Sequence, residues 1–163
     1  MVFLGGTIGN LLPAERAEFL TAMRAALEVG DWLLLGTDLV KDPSVIVPAY
    51  DDAAGVTAEF NRNVLHVINR ELGADFDPAA FAHVAHWDPD QEWIEMRLRA
   101  TRPMSVRVLG MTVDFAAGRS CVPRSRRSST GRIAAELTRA GFAPTRFWAD
   151  PDALFGVTLA RAR

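Results

Sequence analysis

Two short apolar runs, Val2-Phe3-Leu4 and Trp32 to Leu35, each stop at a glycine, and a helix-forming stretch separates them. A continuous apolar run of this length reads as a strand buried on both faces. Gly5-Gly6 and Gly36-Thr37-Asp38 then mark the strand ends. Between them Pro13 suits a first helical position, and Phe19, Leu20, Met23 and Leu27 recur at helical spacing. Gly30 is placed to stop a helix of about 13 to 29. Strand, helix and strand in so short a span predict a βαβ unit, with parallel strands and a right-handed crossover. Ligands of such sheets lie beyond the carboxyl ends of the strands, which directs attention to Gly5-Gly6-Thr7-Ile8-Gly9-Asn10. Glycines there let backbone approach a ligand closely, and Thr7 and Asn10 offer hydrogen bonds. An ordinary strand-to-helix turn has the same composition, and the spacing lacks a dinucleotide-binding GxGxxG.

After Lys41 the pattern changes. Pro43 and Pro48 bracket a short segment, and Val56, Phe60, Val64, Val67 and Ile68 predict an amphipathic helix over about 53 to 72 with those residues on its packed face. From Trp93 to Ala100, Ile94, Met96 and Leu98 alternate with Glu95, Arg97 and Arg99, the pattern of a half-buried antiparallel strand. His83 to Trp87 and Val106 to Phe115 are its expected partners, so the middle of the chain reads as a separate α+β lobe. Ile133, Ala134 and Leu137 restart a helix that Gly141 ends, and Pro144 to Trp148 and Phe155 to Ala160 are further strands.

The 163 residues, 49% hydrophobic and 23% charged, suffice for a packed core. No apolar run approaches the roughly 20 residues of a membrane span, and no basic leader follows Met1. One cysteine, Cys121, forms no internal disulfide, and a cytoplasmic location is the expectation. A net charge of -2 argues against a general grip on nucleic acid. Arg119 to Arg132 nevertheless holds five arginines and no acid. His83 and His86, three apart on a strand, face opposite ways and suit no shared metal; His66 shares a polar helix face with Arg62 and Arg70. The four tryptophans fall in core-like elements and read as packing residues.

Leu27 to Leu39 (LEVGDWLLLGTDL) and Glu136 to Trp148 (ELTRAGFAPTRFW) resemble the distal half of class I S-adenosylmethionine-dependent methyltransferases. Phe3 to Asn10 (FLGGTIGN), Gly36 to Asp42 (GTDLVKD) and Ala49 to Asn63 (AYDDAAGVTAEFNRN) are more specific. Together they closely resemble the histidine-specific Nα-methyltransferases of ergothioneine biosynthesis, which convert L-histidine to its betaine, hercynine. The resemblance implies an α/β fold: a partial class I methyltransferase (Rossmann-like) sheet over 1–40 and 133–163, interrupted by an α+β substrate-binding insertion over 41–132. It implies that Asn10 grips the amino-acid head group, Tyr50 hydrogen-bonds the carboxylate, Gly5 and Thr7 line the path to the amine, and Met96 packs near the imidazole. Gly5 would also border the cofactor, S-adenosyl-L-methionine. The implied partner is L-histidine, with no nucleic acid, membrane or metal, and the resemblance implies a monomer. Read without the resemblance, Tyr50 is a turn residue beside Asp51-Asp52 and Met96 a core residue.

Two departures qualify that likeness. The family's main cofactor motifs lie upstream of the matched region, so the chain reads as N-terminally truncated, of slight activity alone, or as a noncatalytic amino-acid-binding remnant. An incomplete sheet would expose Val2 to Leu4, and low solubility follows. The family also carries a Glu-x-Ser motif near Arg124 and Arg126. Codons for RSCVPRSRRSSTGR, read one nucleotide earlier, can spell Glu-Glu-Leu-Arg-Thr-Glu-Val-Ser-Ser-Lys-Phe-Asp-Arg-Ala, which restores it. Compensating frameshifts explain that stretch; a basic loop that binds phosphate or nucleic acid is the competing reading.

Overall fold

A computed structural model describes residues 1–121, 124–126 and 130–163, with side chains for 1–120 and 132–163. The chain divides into two compact units. The first comprises residues 1–42, 89–93 and 125–163, and the second 43–88 and 94–124.

In the first unit the strands are β1 (Val2–Phe3), β2 (Trp32–Asp38), β9 (Phe142–Ala149) and β10 (Phe155–Ala162), and the helices α1 (Pro13–Ala25) and α4 (Thr130–Arg139). The sheet order is β1-β2-β10-β9. β1 runs parallel to β2, with Val2 opposite Leu34, as the βαβ reading expects. β10 is antiparallel to both its neighbours, so the sheet is mixed. One face of β2 and β10, carrying Leu33, Leu35, Ala160 and Ala162, packs with Leu20 and Met23 of α1 and Ile133 and Leu137 of α4. Under that packing the guanidinium of Arg16 is 1% exposed and meets Glu136 at 2.6 Å, joining the two helices.

Three expectations for this unit are corrected. β2 continues through Gly36-Thr37-Asp38, because Gly36 is needed inside it. A methyl group there would lie 2.9 Å from the Leu4 carbonyl oxygen and 2.8 Å from the Phe155 ring. α1 stops at Ala25, four residues early, and the Arg24 guanidinium bonds the Leu27 carbonyl at 2.8 Å in the turn that follows. Among the described residues β1 lies at the sheet edge with Val2 65% exposed, against burial on both faces and in line with the exposure an incomplete sheet predicts.

The second unit holds α2 (Pro43–Tyr50), α3 (Val56–Leu72), β3 (Phe81–Asp88), β4 (Trp93–Ala100), β5 (Met104–Val108), β6 (Met111–Phe115) and β7 (Ser120–Cys121); β8 (Arg124–Arg126) follows. α2 and α3 pack on β3. Phe76, Phe81 and Phe115 form an aromatic cluster with ring centroids 5.4 to 6.1 Å apart, under Leu65, Leu98 and Val106. Val106 to Phe115 does not join β4. It folds on itself as the β5-β6 hairpin, because Leu109 and Gly110, with φ of 48° and 76°, form the two-residue turn that matches strand twist. β4 lies instead between β3 and β7. Among the described residues no helix is long and apolar enough to cross a membrane.

Candidate functional site

In the first unit β1 leads into Gly5 and Gly6, then one 3₁₀ turn over Thr7–Asn10. Gly6, with φ of 65°, makes the reversal a side chain would strain. Ile8 and Gly9 are buried and anchor the turn, which leaves Gly5, Thr7 and Asn10 exposed. The Asn10 amide makes no hydrogen bond among the described residues. Beneath this turn the Phe155 ring lies against the backbone of both Gly6 and Gly36. Its place is set by Asp150, whose carboxylate accepts from the amides of Asp152, Leu154 and Phe155. Those amides, Phe155 first, hold the Asp150 carboxyl below the usual carboxylate range. Asp38, at the end of β2, pairs with Lys41.

In the second unit Tyr50 is the last residue of α2, half-buried. Its carbonyl accepts from Nε2 of His83 on β3 at 2.7 Å, while Nδ1 of the same ring accepts from the Asn61 amide of α3 at 2.9 Å. Two residues on, the Asp52 carboxylate accepts from the backbone amides of Val56 and Thr57 at 3.0 and 2.7 Å, which is why α3 starts at Val56. The Thr57 hydroxyl and amide, then the Val56 amide, pull the Asp52 carboxyl down to about 2. Met96 sits half-buried on β4. Beside it Glu95 is no surface residue: it is 4% exposed and pairs with Arg97 at 2.6 Å.

Gly5, Thr7 and Asn10 are thus brought together on one turn of the first unit, and Tyr50 and Met96 belong to the second. Arg124 and Arg126 have backbone in β8, but their side chains, and with them the expected Glu-x-Ser position, lie outside what is described. Trp32 and Trp148 are each 46% exposed, against the expectation of core packing, and Arg161 covers the Trp32 ring at 5.9 Å. Sequence reasoning weighed His83 only as a metal ligand and missed its link between Asn61 and Tyr50. The available signal was a run of Thr57, Asn61, Leu65 and Asn69 at four-residue spacing, a helix stripe more polar than its neighbour.

Residues 1–162 match the family described as histidine-specific methyltransferase, SAM-dependent. The histidine N-alpha-methyltransferase of Mycolicibacterium smegmatis is 57% identical, over 98% of this chain and 51% of that protein. That of Mycobacterium tuberculosis is 55% identical, over 98% and 50%. The chain therefore spans about half the length of the curated relatives it matches. Among solved structures the CcbJ methyltransferase from Streptomyces caelestis aligns with 99% of this chain and 55% of its own, at a TM-score of 0.51 and 15% identity, a likeness of fold.

Proposed function

The chain belongs to the histidine-specific, S-adenosylmethionine-dependent methyltransferases, and from that membership we propose that it holds L-histidine for methylation of the α-amino nitrogen, toward hercynine in ergothioneine biosynthesis. The observation that carries the reading is the match of the whole chain to enzymes of that name, joined to an exposed turn at the carboxyl end of β1. Asn10, whose amide offers both a donor and an acceptor, grips the amino-acid head group. Tyr50 donates its phenolic hydrogen to the carboxylate. Gly5 and Thr7 line the approach to the amine, and Met96 packs by the imidazole.

Gly5, exposed and without a side chain at the strand end, fits close approach by S-adenosylmethionine. When bound, that cofactor supplies an electrophilic methyl group. The chain's own part is to present a neutral amine in line. The α-amino group of a free amino acid is mostly protonated near pH 7, so its proton must leave before the nitrogen can accept the methyl group. Orientation then carries much of the acceleration.

Calorimetric titration of L-histidine into the purified chain tests this. Asn10→Ala and Tyr50→Phe are each expected to weaken binding by about tenfold or more, the loss of a hydrogen bond to a charged group. An unchanged affinity in both variants defeats the reading. Mass spectrometry for methylated histidine, with S-adenosylmethionine present, separates catalysis from amino-acid binding alone. For Arg119 to Arg132 the test is the native codons: any that fail to spell a glutamate and serine in the earlier frame exclude the frameshift.

A further inference from the structure

We propose that His83 is a positioning residue for Tyr50, with Asn61 selecting the form of His83 that does so. The inference rests on Tyr50 as the contact to the histidine carboxylate. Tyr50 ends α2, and the last carbonyls of a helix have no partner within it. β3 supplies that partner through His83 Nε2 at 2.7 Å. A carbonyl only accepts, so Nε2 carries the hydrogen. The side-chain nitrogen of Asn61 only donates, so Nδ1 carries the lone pair. One neutral tautomer, Nε2–H, satisfies both bonds, and the group that imposes it is 5% exposed.

The consequence concerns Tyr50 rather than His83. Asp52 ties the following turn to the start of α3 through the Val56 and Thr57 amides, and Asn61 lies one turn further along that helix. The backbone of 50–52 is thereby fixed at both ends, from β3 and from α3. Tyr50's ring leaves from the residue whose carbonyl is clamped, and its hydroxyl is at the far end of a long lever. A small rotation there moves the hydroxyl far more than the backbone, enough to lengthen or misalign its hydrogen bond to the carboxylate.

The test measures L-histidine affinity for the wild-type chain, Tyr50→Phe, His83→Leu, His83→Gln and the double variant Tyr50→Phe/His83→Leu. His83→Leu is expected to weaken binding by about tenfold, about as much as Tyr50→Phe. The double variant is expected to lose no more than about twofold beyond Tyr50→Phe, because both changes remove one function. A glutamine amide can donate to the carbonyl and accept from Asn61, so His83→Gln is expected to recover most of the affinity. Additive losses in the double variant, or a glutamine variant as weak as the leucine one, overturn the clamp. If Tyr50→Phe binds as the wild type does, the carboxylate reading itself falls and takes the clamp with it. If Tyr50→Phe weakens binding and His83→Leu does not, only the clamp falls. Nitrogen NMR of the unmutated chain stands independent of any variant's folding: the Nε2–H tautomer of His83 is expected, and the Nδ1–H tautomer overturns the proposal.

Discussion

Asp52 shows how much of the site depends on a single side chain that never needs to touch substrate. The first amides of α3 lack partners within the helix, and its carboxylate takes those of Val56 and Thr57. Because these donors favour the ionised form, its titration is displaced to about 2. The sign follows: a carboxyl lowered in the folded state stabilises fully above the unfolded value of about 3.9, and that contribution is lost as pH falls through about 2. An NMR titration is expected to place the Asp52 midpoint near 2, with the Thr57 amide still protected from exchange at pH 3 and exposed below 2. Asp52→Ala is expected to speed exchange at Val56 and Thr57 at neutral pH. A midpoint near 4 would remove the cap from the account.

At the scale of elements a polar contact set in an apolar layer joins α1 to α4 in the first unit. Arg16 of α1 is buried against Glu136 of α4, among side chains of the main core. Removing one partner of a buried pair costs about 3–5 kcal/mol, whereas replacing both with apolar groups of similar size is often close to neutral. Glu136→Ala is therefore expected to destabilise by about 3 kcal/mol in urea unfolding, and Arg16→Met/Glu136→Leu to recover most of that loss. Elements of this kind were legible wherever one rule decided them. β1, α1 and β2 followed from apolar runs, glycines and a first-turn proline. α3 was legible as a helix but not in its facing. Val56, Phe60 and Val64 are 68%, 71% and 46% exposed, while Asn61 and Leu65 are buried. Periodicity ranks stripes by hydrophobicity, and here the packed stripe is polar because His83 satisfies Asn61 and the backbone of Phe76 satisfies Asn69. Partners that lie far along the chain leave no local trace. Glu95 was misread for a different reason: alternation placed it outside, and it is buried although its partner Arg97 lies only two residues on. Of the candidate site, the Gly5–Asn10 turn could be read from strand-end logic, whereas Tyr50 and Met96 stood out only through family likeness.

At the scale of the whole molecule the exposed edge of the mixed sheet decides how copies of the chain behave toward one another. β1 has a hydrogen-bonded neighbour on one side only among the described residues, and Met1, Val2 and Leu4 are 44%, 65% and 46% exposed along it. Trp32, at the start of β2, adds another large half-exposed side chain. A strand with unpaired amides and carbonyls beside apolar side chains is a template for pairing with a second chain. The 163-residue polypeptide is expected to self-associate as its concentration rises, seen as a shift to larger species in sedimentation velocity. Val2→Lys puts a charge on that edge, where the wild-type side chain makes little contact, so it is expected to restore the monomer while leaving the melting temperature within about a degree or two. Histidine affinity should be unchanged in the same variant, since Val2 lies before the Gly5–Asn10 turn and contributes no group to it. Association that persists at equal strength in Val2→Lys would place the contact elsewhere, with the exposed Val56, Phe60 and Val64 stripe of α3 the next surface to charge.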